Sequence, residues 1–156
     1  MRSREIPQVN MKATPAVLFL DRDNSTRSQL AEALLRHHGR GRFHCYSAGL
    51  EPAQLSPLVL QTLAEIGVDS SGLHPKSVSE LLAKVSIEWA ILIRARGEAG
   101  SPRIYPFATK TLQWECPDPA ASFGTDEERL TAFRNARDLL GESILQWLRE
   151  SMPRAA

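Results

Sequence analysis

The sequence predicts a three-layer α/β domain, a parallel sheet with helices packed on its faces. Three observations carry that expectation. Short continuous apolar runs have the pattern of strands buried on both faces, amphipathic stripes at helical spacing lie between them, and glycines or capping residues stand where one element gives way to the next. At 156 residues, with 42% hydrophobic and 24% charged residues, the chain has the size and balance of one globular core.

Residues 16–20, Ala16-Val17-Leu18-Phe19-Leu20, form the first apolar run. Leu30, Ala33, Leu34 and the His37/His38 pair then recur on one helical face, and Gly39 and Gly41 can stop that helix by taking positive φ. Residues 43–48 read as a second strand ending at Gly49, and a strand-helix-strand unit of this length implies a parallel crossover. Ser56 as N-cap and Pro57 at the first helical position open a second helix, with Val59, Leu63 and Ile66 as its apolar stripe and Gly67 as its end. Ser77 and Glu80 make a capping box ahead of a short helix at Leu81-Leu82. Residues 89–93 are the next buried strand, and Ile104-Tyr105-Pro106-Phe107 is expected as the fourth, at an edge because Pro106 cannot donate to a ladder. Thr125 and Glu128 box the start of the last helix, whose stripe is Leu130, Phe133, Ala136, Leu140, Ile144, Trp147 and Leu148.

Composition excludes several classes of function. A net charge of +1, from 19 Lys and Arg against 18 Asp and Glu, leaves no basic excess for nucleic acid or an anionic membrane surface, so neither is expected as a partner. The apolar run at residues 16–20 is far short of the roughly 20 residues that span a bilayer. Residues 1–12 include Arg2, Arg4, Glu5 and Asn10 and lack the apolar centre of a signal peptide. They read as a disordered lead-in to a cytoplasmic protein, followed by a single domain over residues 13–150 and a tail over residues 151–156. Two cysteines, Cys45 and Cys116, cannot build a disulfide framework or a four-Cys zinc site. His37 and His38 have no Cys or carboxylate at ligand spacing, so no metal centre is expected.

In a parallel sheet the ligand site lies at the carboxyl ends of the strands, where a helix N-terminus offers free N–H groups to an anion. Here that place is Asp21-Arg22-Asp23-Asn24-Ser25-Thr26-Arg27-Ser28. Asn24 tolerates left-handed backbone, Ser25, Thr26 and Ser28 bring hydroxyls, and Arg27 opens the helix with a guanidinium able to fork onto one oxyanion. These five are the candidate oxyanion-binding residues.

The loop resembles that of the low-molecular-weight protein tyrosine phosphatases and the thioredoxin-coupled arsenate reductases that share their fold, in which Cys-x5-Arg-Ser follows the first strand. The likeness runs through residues 24–35 and continues at Tyr46-Ser47-Ala48-Gly49-Leu50-Glu51-Pro52, residues 64–69, His74-Pro75-Lys76-Ser77 and Trp114-Glu115-Cys116-Pro117-Asp118-Pro119-Ala120. It implies a four-stranded parallel sheet in the order 2-1-3-4, catalytic positions at Asp21, Arg27 and Asp118, and no resident cofactor. Counting back from Arg27, the family's nucleophilic cysteine falls on Asp21 and its loop glycine on Asp23. Asp118 matches the family's general acid, and it reads equally well as a turn aspartate between Pro117 and Pro119.

Two carboxylates in an anion cradle oppose its ligand: at an effective dielectric of 20, like charges 4 Å apart cost roughly 4 kcal/mol. The redox cysteines of the reductase branch would fall on Arg94 and Ser101, so no thiol relay is expected. Cys45 reads as a small apolar strand residue, and Cys116 has no electropositive neighbour in the sequence to activate it. Arg27 is expected to pair with Asp21 or Asp23, and Ser28 to cap the helix. Asp21 is expected to be ionised with a lowered pKa, acting as an internal ligand of the cradle.

Three functions follow. The first is a binding or regulatory domain with a degenerate oxyanion loop and no thiol-based catalysis, whose affinity for a small oxyanion or phosphoester is weakened by Asp21 and Asp23. The second is a phosphomonoester hydrolase with Asp21 as a nucleophile helped by Mg²⁺, the one reading that needs a cofactor, and Asp118 as general acid. Residues 17–23 also resemble the Asp-x-Asp motif of haloacid-dehalogenase-superfamily phosphatases, which work in that way. The third is a scaffold without an anion ligand that meets a protein partner through Trp147 or Arg94-Ala95-Arg96.

Overall fold

The structure, a computed structural model, describes residues 14–151. The lead-in expected over residues 1–12, and the tail beyond Ser151, lie outside the described residues. In chain order the elements are β1 (Ala16–Asp21), α1 (Arg27–Gly39), β2 (His44–Gly49), α2 (Pro57–Glu65), α3 (Ser79–Leu82), β3 (Ile87–Arg94), β4 (Ala108–Glu115), a 3-10 turn (Pro119–Ala121) and α4 (Asp126–Ser151). The four strands form one sheet in the order β2-β1-β3-β4, every pairing parallel.

Alternation along the central strands sorts side chains between two cores. Val17, Phe19, Ile91 and Ile93 face α1, α2 and α4, where Leu30, Leu34, Val59, Leu63, Phe133, Leu140 and Ile144 close the packing. Leu18, Leu20, Ala90 and Leu92 face the other way and meet Leu81 of α3 and Tyr105. The second layer is thin, because its one helix is a single turn.

The caps expected for α2 and α4 form, whereas the Ser77/Glu80 box forms only in its Glu80 half, since the N-cap position of α3 is Val78 and the Ser77 hydroxyl accepts the Ser79 N–H. Ser56 accepts the Leu58 N–H at 3.3 Å with Pro57 at the start of α2. Thr125 and Glu128 bond each other's backbone N–H at 3.1 and 2.8 Å, and the Ser77 N–H donates to Glu80 at 3.0 Å. At the end of α1 the left-handed residue is Arg40, followed by Gly41, while Gly39 is still helical.

Three expectations need correction. Residues 104–107 are not a strand. Pro106 cannot bond a neighbour, and the segment instead tucks Tyr105 under the sheet while Ile104 and Phe107 stay 75% and 66% exposed. The edge strand is β4, whose Leu112 and Trp114 alternate toward the helical core and whose β-branched Thr109 and Thr111 suit a pleated edge. Trp147, offered as a partner contact, is only 4% exposed, its ring 5.4 Å from Phe43 and 5.3 Å from Trp89, so it belongs to the core. In α2, Thr62 is buried where the stripe named Ile66, which is exposed.

Candidate functional site

β1 delivers Asp21 to the carboxyl edge of the sheet, and α1 begins at Arg27, so the loop between them is bent over the strand end. Its carbonyls point outward. Those of Asp21, Arg22, Asp23 and Ser25 accept the N–H groups of Leu50, Glu51, Ala53 and Ser56 at 3.3, 2.9, 2.9 and 3.1 Å. Asn24 fixes the bend. It takes φ 53°, its Oδ1 accepts the Lys76 N–H at 2.8 Å and Gln29 Nε2 at 3.1 Å, and its Nδ2 donates to Ser28 Oγ at 2.7 Å. Gly49 passes so close below that a Cβ there would lie 2.7 Å from the Asn24 nitrogen.

With the carbonyls outward, loop N–H groups turn inward, and two carboxylates of the loop take them. Asp21, 1% exposed, accepts the Asn24 N–H at 2.8 Å on one oxygen and the Ser28 N–H at 3.0 Å on the other. Asp23 accepts the Ser25 N–H at 3.2 Å and its hydroxyl at 2.8 Å. Ser25 and Thr26 hydroxyls stand 3.4 Å apart. Ser28 does not cap α1 with its side chain, since its hydroxyl accepts from Asn24 and its N–H is held by Asp21; the N-cap position is Thr26.

The pKa expected of Asp21 is reversed. Burial pushes its carboxyl up to about 6, against the lowering influence of Ser28, Arg27 and the Asn24 N–H. Arg27 lowers it too little to offset that burial, because its guanidinium does not pair with either loop aspartate. Its guanidinium, in a side chain 2% exposed, donates from Nη1 to Glu98 at 2.7 Å and to the Cys116 carbonyl at 3.1 Å, and from Nη2 to Glu98 at 2.9 Å. Asp118 stands 3.8 Å from the same Nη2. Burial would lower the Arg27 pKa, yet Glu98, Asp118 and Asp21 together hold it above its ordinary value. For Glu98 burial would raise the pKa, but Arg27, the Ala95 N–H and Arg22 outweigh it and hold the carboxyl low.

Arg22 closes the mouth, 3.1 Å from Asp118, 3.4 Å from Glu98 and 3.9 Å from Asp23. Asp118 also acts as the turn aspartate, capping the 3-10 turn through the Ala120 N–H at 3.0 Å. The site thus gathers Asp21, Asp23, Asn24, Ser25, Thr26, Arg27, Ser28 and Asp118, with two guanidiniums facing four carboxylates once Glu98 is included.

Glu98 was not legible as a site residue. The one signal was a carboxylate in the short loop just after the carboxyl end of β3, where ligand-binding groups collect in such sheets. Arg94 ends β3 and accepts the Cys116 N–H at 3.0 Å, while the Ser101 hydroxyl donates to the Glu98 carbonyl at 3.1 Å. Both thiols are raised to about 11 by burial, Cys116 in the core behind Arg27 and Cys45 half-buried on β2. Among the described residues, no group of three or more His, Cys, Asp or Glu side chains is placed to hold a metal ion, and no helix is long and apolar enough to cross a membrane.

Comparison with known proteins fits this architecture. A family model described as low molecular weight phosphotyrosine protein phosphatase matches residues 16–155. The chain is 32% identical over 129 residues to an arsenate reductase from Halalkalibacterium halodurans, covering 82% of this chain and 91% of that one. Among solved structures, an arsenate reductase in the phosphate binding state superposes with TM-score 0.72 at 24% identity, covering 87% of this chain and 98% of the other. Vibrio vulnificus Wzb in complex with benzylphosphonate does so with TM-score 0.68 at 16% identity, covering 88% and 99%.

Proposed function

The chain belongs to the low molecular weight phosphotyrosine protein phosphatase family, and from that premise we propose that it is a member without thiol-based catalysis, a binding or regulatory domain whose oxyanion loop is occupied by its own carboxylates. The observation that carries this reading is the pair of loop aspartates. Asp21 and Asp23 accept the N–H groups of Asn24, Ser28 and Ser25, donors that the loop would otherwise turn toward a tetrahedral anion. In register with the family motif, Asp21 takes the place of the nucleophilic cysteine and Asp23 that of a glycine. The two thiols, pushed up to about 11, are poor nucleophiles at neutral pH.

Relatives named for arsenate reduction, and neighbours solved with phosphate or benzylphosphonate, suggest a small oxyanion or phosphoester as the ligand class, here weakened by the loop's own charges. A cytoplasmic setting belongs to the same proposal. Arg27 and Asp118 keep the family's positions but serve as fixed partners within the site rather than as transition-state donor and general acid.

The test is direct. We expect the unmodified chain to show no thioredoxin-coupled arsenate reduction, no aryl-phosphate hydrolysis with or without Mg²⁺, and no phosphate binding by calorimetry at neutral pH. Tight phosphate binding would overturn the self-occupied loop. Mg²⁺-dependent hydrolysis abolished by Asp21→Asn would replace this reading with a hydrolase in which Asp21 is the nucleophile and Asp118 the general acid.

A further inference from the structure

Arg27 is the buried guanidinium of the site able to fork onto an oxyanion, and three of its N–H donors, two on Nη1 and one on Nη2, are already committed. The residue that commits them is neither loop aspartate. Asp21 accepts two main-chain N–H groups and makes no ion pair with Arg27 within 4.0 Å among the described residues, whereas Glu98 meets the guanidinium end-on at 2.7 and 2.9 Å, one oxygen to each Nη. Exclusion of anions is therefore divided between two sets of groups. Asp21 and Asp23 hold loop N–H groups, and Glu98 holds the guanidinium by hydrogen bonds, with Asp118 3.8 Å from Nη2 as a more distant second carboxylate.

Glu98 is built into that position. Its carboxylate also accepts the Ala95 N–H at 2.9 Å, its carbonyl accepts the Ser101 hydroxyl at 3.1 Å, and its side chain is 7% exposed. Gly97 and Gly100 flank it at φ 72° and 76°, conformations that let so short a loop turn the carboxylate back into the site. A planar carboxylate on both Nη atoms copies the two oxygens that a bound oxyanion would present, and its charge repels a second anion at the same place.

We propose that Glu98 is the specificity-determining residue that closes Arg27 to oxyanions. This rests on the reading of the loop as an oxyanion cradle filled by its own carboxylates, and it adds that removing Asp21 alone leaves the cradle half shut. Freed N–H groups without the guanidinium hold phosphate weakly, and the freed guanidinium without the N–H groups does the same.

Phosphate titrations by calorimetry on the parent, Asp21→Ala, Glu98→Gln and the double variant test this. Glu98→Gln keeps the size of the side chain and one bond to Arg27, so the fold should survive, and thermal melts report whether it does. The double variant should bind phosphate at least about tenfold more tightly than Asp21→Ala, the worth of a charge-assisted fork. Adding Arg27→Lys should remove that gain, and Glu98→Asp, which retains the charge, should not reproduce it. Should the double variant unfold, the same comparison between parent and Glu98→Gln at millimolar phosphate still decides the matter. Equal phosphate affinity with and without Glu98 would overturn the proposal. Tight binding by the parent would instead overturn the self-occupied loop, so the two failures are distinguishable.

Discussion

Asp21 keeps both oxygens on backbone donors and still has its carboxyl raised to about 6, because two N–H bonds and an arginine held by another carboxylate do not repay burial. A carboxyl raised in the folded state contributes stability below its unfolded value of 3.8, and that contribution is lost as pH rises through about 6. Between about pH 4.5 and pH 7.5 the parent should therefore lose about 2 kcal/mol of stability relative to Asp21→Asn, which has no charge to bury. Urea titrations of both proteins at the two pH values measure it, and parallel pH dependence would refute the raised carboxyl. The shape of the loop was legible because the features that set it are local: Asn24 can turn left-handed, and Arg27 and Ser28 open a helix. The charge state of Asp21 was not legible, since it depends on Arg27 choosing Glu98, 71 residues away, over the aspartates beside it.

The loop after β1 stands on β2. Gly49 sits at the end of that strand with its Cα against the backbone of Asp23 and Asn24, and its N–H and carbonyl bond the carbonyl of Lys76 and the N–H of Val78 at 2.9 and 3.0 Å. A methyl group there meets main chain rather than a side chain that could swing away. Gly49→Ala should cost about 1–3 kcal/mol in chemical denaturation and displace the loop, visible as amide shifts at Asp23 and Asn24. Unchanged stability would show that β2 and the loop are less tightly joined than the distances imply. Helices and buried strands were legible from periodicity, and their caps from Ser56-Pro57 and the Thr125/Glu128 pair. The edge strand was misread because β4 mixes Lys110, Gln113 and Glu115 with its apolar residues, while the more apolar residues 104–107 contain a proline.

The two faces of the sheet differ in depth across the whole molecule. One is covered by α1, α2 and the 26-residue α4, the other by one helical turn and the segment carrying Tyr105. Truncation should register that asymmetry. Leu140→Ala, in the thick layer, should cost about 3–4 kcal/mol, and Leu81→Ala, at the thin layer's margin, about half as much, because the thin side can close over a gap that the helical side cannot. Equal losses in urea denaturation would show that the thin layer packs as rigidly as the thick one. The sheet order followed from family resemblance rather than from any pattern in the residues, since apolar runs say that strands are buried but not which strand neighbours which. The placement of Cys45 and Cys116 has its own consequence at this scale. With thiols at about 11, only on the order of one molecule in ten thousand carries a thiolate at pH 7. Peroxide and alkylating reagents, which act on the thiolate, should therefore react slowly with both cysteines near neutral pH.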